Sequence, residues 1–198
     1  MGGVVITLDQ KTAIKRFKAL GLTDAEQRLD AYTQQGIFGD LESGKISDED
    51  FRRELSLLVG HELTWDECLH AWKGYCGEVP KRNLRKMQEL RQRGYRVVLL
   101  SNTNAFMMSW VMSDKFDGEG HSLAHYLDKA YMSYKCGAMK PDPIFFNEVL
   151  QGENLIPDET LFLDDGPRNI EAAKELGIRT LLVGNGEDWT GEIEKYLD

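Results

Sequence analysis

Cysteine is scarce in this chain: Cys68, Cys76 and Cys136 are the three among 198 residues. They form no CxxC pair and no even set, which excludes a disulfide framework and leaves them as small packing residues suited to a reducing cytoplasm. Basic runs are absent and the net charge is −9, which makes nucleic acid and anionic membranes poor partners. No apolar run reaches bilayer-spanning length, and the start of the chain lacks the basic region and hydrophobic stretch of an export signal. There is no internal repeat and no low-complexity linker. The four histidines, His61, His70, His121 and His125, form no convincing metal cluster and read as surface or partly packed residues.

What is present is the composition of a soluble globular protein, 41% hydrophobic and 29% charged. The length suits one domain, or one domain carrying a modest insertion. Up to about Gly77 the pattern is helical throughout. Ala13, Ile14, Phe17 and Leu20 give one face of a helix over 11–20. Thr23 with Glu26 predicts a capping box for a second helix, Ser47 caps a third bearing Phe51, Leu55 and Leu58, and Thr64 with Glu67 caps a fourth bearing Trp65, Leu69 and Trp72. The acids Asp48, Glu49 and Asp50 complement a helix dipole, and the two tryptophans belong to the core.

After Pro80 the pattern alternates. A helix over 83–93 ends at Gly94, and a strand over 95–100 stops at Ser101-Asn102-Thr103-Asn104. A short strand over 130–133, a helix over 143–150, a strand over 161–163, a helix over 169–176 and a strand over 180–183 follow. Alternation of this kind predicts an α/β fold: a Rossmann-like parallel sheet with helices on both faces. The loop Asp117-Gly118-Glu119-Gly120 has too few ligands for a calcium loop and reads as a turn. Met107, Met108, Trp110 and Met112 fit either a helix core or an apolar pocket wall.

Three strand ends carry polar groups. Ser101 reads either as a phosphate-oxygen ligand or as a helix N-cap. Lys140, bracketed by Met139 and Pro141, reads either as a positioned cation or as a solvated loop lysine. Asp164 and Asp165 follow the apolar Leu161-Phe162-Leu163. They can cap a helix, but two adjacent acids at the carboxyl end of a parallel strand also suit Mg²⁺. A hydroxyl, a cation and an acid pair together are the kit for phosphoryl transfer.

In these residues and their order the chain resembles the haloacid dehalogenase-like hydrolase superfamily. Leu99-Leu100-Ser101-Asn102, Met139-Lys140-Pro141 and Asp164-Asp165 with Asn169 match its motifs over essentially the whole length. Within it, the branch of sugar-phosphate phosphatases such as α-glucose-1-phosphatase is the nearest likeness. The resemblance implies a helical cap over 11–77, inserted after the first strand of a core formed by 1–10 and 78–198. It also implies Mg²⁺ bound by the Gly2 carbonyl and the acid pair, with either Asp164 or Asp165 as the direct ligand, phosphate held by Ser101, Asn102, Thr103 and Lys140, and catalytic roles for Ser101, Lys140 and Asp165. The substrate would be a small phosphorylated metabolite.

The family's remaining motif is an apolar strand ending in Asp-x-Gly-Gly, whose aspartate attacks phosphorus. Here Met1-Gly2-Gly3-Val4 places Met1 on the x, so the nucleophile would precede Met1, and without it the chain would be inactive. The strand concerned is central, between those at 95–100 and 161–163. Leaving its neighbours unpaired would cost about 1–3 kcal/mol per buried backbone group, against a total stability of roughly 5–15 kcal/mol. An upstream apolar segment ending in aspartate is therefore expected, the alternative being a truncated chain folded some other way. Gly2 stands where many relatives carry a proton-donating aspartate, so the leaving group needs another acid, Asp9 or water, and a phosphomutase is disfavoured. Two rival functions follow: a non-catalytic phospholigand-binding relative, and a 2-haloacid dehalogenase, which the acid pair disfavours.

Overall fold

The structure, a computed structural model, describes residues 1–29 and 34–197. Helices α1 (Gln10–Ala19), α2 (Ala25–Arg28), α3 (Ile37–Glu42), α4 (Asp48–Val59) and α5 (Trp65–Trp72) come first. The alternating part follows: α6 (Lys81–Gln92), β1 (Val98–Ser101), α7 (Ala105–Val111), β2 (Lys129–Met132), α8 (Ser133–Cys136), α9 (Pro143–Gly152), β3 (Leu161–Asp164), α10 (Pro167–Glu175) and β4 (Arg179–Leu182). This is an α/β fold, with β1 parallel to β2 and β3 parallel to β4. No helix among the described residues is long and apolar enough to cross a membrane.

The helix starts follow local chemistry. Ser47 with Asp50, and Thr64 with Glu67, each close a reciprocal capping box. The box expected at Thr23 does not form: Asp24 is the N-cap of α2, and Glu26 pairs instead with Lys18 at 2.6 Å. Helix α3 is absent from the sequence-based expectation, since Gly39 interrupts a short segment. Phe51 and Leu55 of α4 are buried as expected, whereas Leu58 is 46% exposed. Aromatic edges knit the helices together, with Phe17–Phe38 and Phe38–Phe51 centroids both 5.1 Å apart. Phe51 and Trp65 then meet Phe106 of α7 at 5.7 and 5.0 Å, tying this layer to the alternating part. Burial pushes the Cys68 thiol up to about 12 and the Cys76 thiol up to about 11, as inert packing residues require.

The helical stretch is entered and left at one place. Gly77 and Thr7 donate their N–H groups to the carbonyls of Thr7 and Glu78, and Asp9 donates to Tyr75. The one continuous sheet expected from the sequence is not formed among the described residues: there are two two-stranded sheets. Strands β1 and β3 face a shared apolar cavity of about 630 Å³, lined by Leu99, Leu161 and Leu163, with Met87 of α6 and Phe146 of α9. Met1 lies at its edge. Because both pairs are parallel, their carboxyl ends, Ser101 and Asp164, can serve one site.

Candidate active site

The N-cap of α7 is Asn104, whose Oδ1 accepts from Met107 N–H at 3.0 Å. Ser101 is therefore free of the capping role. It ends β1, 2% exposed, and lines a polar pocket of about 110 Å³. Asn102 uses its side chain as a clamp: its Nδ2 donates to the Lys140 carbonyl and its Oδ1 accepts from Lys140 N–H, both at 2.9 Å. Thr103 is pinned by Ser133, which accepts from Thr103 N–H at 3.0 Å and donates to Thr103 O at 3.1 Å. The loop after β1 is thus fixed to both neighbouring segments, with Ser101, Asn102 and Thr103 all on the pocket wall.

Lys140 is no solvated loop lysine. It is 7% exposed, and its Nζ donates to the Leu100 carbonyl at 3.0 Å and to Asp164 Oδ2 at 2.6 Å. The two acids have different surroundings. Asp164 Oδ1 takes two donors, Gly166 N–H at 2.9 Å and Asn169 Nδ2 at 2.8 Å, while its Oδ2 accepts from Lys140 alone and keeps a lone pair. Burial alone would raise its carboxyl; the Lys140 charge and hydrogen bonds from Lys140 and Asn169 hold it below its usual value. Among the described residues no other side chain donates to Asp165, whose carboxyl is pushed up by burial and by the charge of Asp164. An open carboxylate beside Gly2, a second carboxylate and a positioned lysine form a donor set that fits a hard dication with room left for a phosphate oxygen.

Gly3 sits at φ +76°, and a Cβ there would run into the Asp165 carboxyl. Gly3→Ala is therefore expected to displace Asp165 and to destabilise the fold by about 1–2 kcal/mol through its left-handed backbone. Thermal melting and turnover measured together check both effects; a variant with unaltered turnover would detach Asp165 from the chemistry.

The opposite wall holds residues that sequence reasoning missed. Glu42 of α3, Gln34, Trp72 and Tyr75 line the same pocket as Ser101, Lys140, Asp164 and Asp165. Tyr75 Oη donates to Gln34 Oε1 at 3.3 Å. Met107 also lines it, while Met108 lies in the core. Asp9 is not on this wall: it is the N-cap of α1, accepting from Thr12 N–H and Oγ1 at 3.0 and 2.6 Å, and those bonds lower its carboxyl. It is unsuited to donate a proton. Outside the pocket lining, Asp117, Glu119 and His121 bring ligand atoms within 4.8 Å of one another. Asp117 is already occupied as the centre of the expected turn, accepting from Glu119 N–H, His121 N–H and Tyr126 Oη at 2.7, 3.0 and 2.6 Å.

Comparison with known proteins converges on one family. Residues 78–177 match the haloacid dehalogenase-like hydrolases. A D-ribitol-5-phosphate phosphatase of Bacteroides thetaiotaomicron is 47% identical over 197 residues, spanning 100% of this chain and 95% of that protein. A HAD-like hydrolase structure from Porphyromonas gingivalis superposes with a TM-score of 0.94 at 41% identity, covering 99% of this chain and 94% of that one. An Asp12Ala mutant of a B. thetaiotaomicron HAD enzyme, in complex with magnesium and inorganic phosphate, gives a TM-score of 0.90 at 33% identity, covering 98% of this chain and 95% of that one. With a near full-length relative approaching half identity and the strand-end residues gathered in one pocket, the chain belongs to the haloacid dehalogenase-like hydrolase family.

Proposed function

We infer that the protein is a Mg²⁺-dependent phosphatase of small phosphorylated metabolites, of the sugar- or polyol-phosphate class, acting in the cytoplasm. The observation that carries this reading is the buried Lys140–Asp164 pair at 2.6 Å, with the open Asp165 carboxylate and Ser101 in the same pocket. The relative named for D-ribitol 5-phosphate supports the substrate class, and the magnesium and phosphate complexes of the second relative support the cofactor.

In this reading Asp165, Asp164 and the Gly2 carbonyl would hold Mg²⁺, which would offset repulsion between the phosphate and a carboxylate. Lys140 neutralises charge on the transferring oxygens, and Ser101 with the Asn102 and Thr103 loop holds another oxygen. The nucleophile would be an aspartate before Met1, as the family's Asp-x-Gly-Gly motif implies, on a strand for which the cavity between β1 and β3 has room. Met1 borders both that cavity and the polar pocket, so a residue before it would emerge beside Lys140 and Asp165. The carboxylate forms an acyl phosphate as the ester oxygen leaves with a proton; water then attacks phosphorus, releasing phosphate and restoring the carboxylate. Residues 11–77 serve as a cap over 1–10 and 78–198. The pairing of 7–9 with 75–78, and the placement of Glu42, Trp72 and Tyr75 on the pocket wall, support that division.

Replacing Asp165 by Asn tests the reading. Turnover is expected to fall about 10²–10³-fold with the circular-dichroism spectrum unchanged. Full activity of the variant at limiting Mg²⁺ would remove Asp165 from the metal site. The acid pair also separates this reading from a dehalogenase, for which EDTA would be without effect.

A further inference from the structure

We propose that Glu42, on the helical wall of the pocket, is the acid that protonates the leaving oxygen of the phosphate ester. This rests on the phosphatase reading above and supplies what that reading lacks. Gly2 carries no side chain, and Asp9 is a helix cap outside the pocket. Of the carboxylates that do line the pocket, Asp164 is held by Lys140 and Asn169, and Asp165 is assigned to the metal. Among the described residues Glu42 is the remaining one.

Its placement suits the role. Glu42 closes α3, which packs against α8 at the carboxyl end of β2. Its carboxyl lies against the side chain of Asn104, three residues beyond Ser101, so it reaches the same loop that would hold the phosphate. It is 8% exposed, and no cation pairs with it among the described residues. A buried acid without a counter-charge favours its neutral form. Burial pushes the Glu42 carboxyl up to about 7, with Asn104 pulling weakly the other way, so a large fraction carries a proton near neutrality. Among the described residues no cation pairs with Glu42, and the polar side chain beside it is the neutral Asn104. The face it shares with Trp72 and Tyr75 is where the organic part of a phosphate ester would lie once the phosphate sat between Ser101 and Lys140.

As the phosphorus–oxygen ester bond breaks, its electron pair stays on the departing oxygen, which takes the proton from the Glu42 carboxyl and leaves as an alcohol. The phosphoryl group passes to the nucleophilic carboxylate, and Glu42, now a carboxylate, regains a proton from solvent after the alcohol departs.

The test exploits leaving-group basicity in the protein with its upstream segment present. An alkoxide from a polyol phosphate needs the proton, whereas p-nitrophenolate departs without one. Glu42→Gln is expected to lower kcat on a polyol phosphate by about 10²–10⁴-fold and on p-nitrophenyl phosphate by less than about 10-fold, the second substrate reporting that the variant folds. Glu42→Asp, which keeps the acid with a shorter reach, should show the same ordering with a smaller gap. Equal losses on both substrates, or a rise confined to KM, would make Glu42 structural or a binding residue and overturn the proposal. Inactivity of the unsubstituted protein on both esters would instead overturn the phosphatase reading, and Glu42's role with it.

Discussion

An apolar strand ending in aspartate, joined ahead of Met1, is expected to raise turnover of a generic aryl phosphate by at least ~10³-fold and to raise the unfolding temperature. The two effects have separate causes. Turnover depends on a carboxylate beside Lys140 and Asp165. Stability depends on the strand itself, because β1 and β3 each present a four-residue parallel edge toward the apolar cavity of about 630 Å³. A strand between them would satisfy backbone groups worth about 1–3 kcal/mol each when buried and unpaired, and its side chains would cover Leu99, Leu161 and Phe146. The same segment ending in asparagine separates the causes: it should restore the melting temperature without the turnover. A segment that raises neither would mean that the cavity takes no strand and that the nucleophile lies elsewhere.

Lys140→Ala is expected to be the most damaging single change within the described residues. It removes a cation with 5% side-chain exposure and leaves Asp164, equally buried, without its partner. Breaking one half of such a pair costs about 3–5 kcal/mol, since the remaining charge stays desolvated. Turnover should fall by about 10²–10³-fold or more, because the transferring oxygens lose their neutralising charge. The double variant Lys140→Met with Asp164→Asn removes both charges and keeps the volume. It should recover most of the stability, since the buried pair itself contributes little net energy, and none of the activity. Denaturant unfolding of the three proteins beside their turnover checks this. A single variant as stable as the parent would show that Asp164 finds another donor; a double variant with activity would put the chemistry elsewhere.

The strand-end residues were legible in the sequence because backbone chemistry marks each of them. Asp164 and Asp165 terminate an apolar run and precede Gly166-Pro167, Lys140 stands before Pro141, and Ser101 closes a β-branched segment. These are local signals, and the structure brings all of them to one pocket. The division of labour inside the acid pair was not legible. It depends on Lys140 and Asn169 reaching Asp164 from other segments, which spacing along the chain does not encode. Glu42 was invisible for a different reason. Helix α3 is six residues with Gly39 inside it, too short for a 3.6-residue period and weakened by a poor helix former. Gly39 is required there, as a Cβ would meet the Gln34 carbonyl at 2.6 Å. The false capping box at Thr23 shows the opposite failure: the right residue types stood at the right spacing, but α2 starts after Asp24, which leaves Glu26 at its second position, pairing with Lys18.

The alternating part was read more accurately than the sheet that joins it. Parallel pairing within β1–β2 and β3–β4 follows from strand and helix alternation, while no pairing joins β1 to β3 among the described residues. Phosphate release from a polyol phosphate tests whether Asp165, Lys140 and Ser101 serve Mg²⁺-dependent phosphate-ester hydrolysis. The protein would be assayed with its upstream segment, with Mg²⁺, after EDTA, and after Mg²⁺ is returned. Release that stops with EDTA and resumes on adding Mg²⁺ is the result expected. Release indifferent to EDTA, or a folded protein that releases no phosphate in any condition, would contradict it.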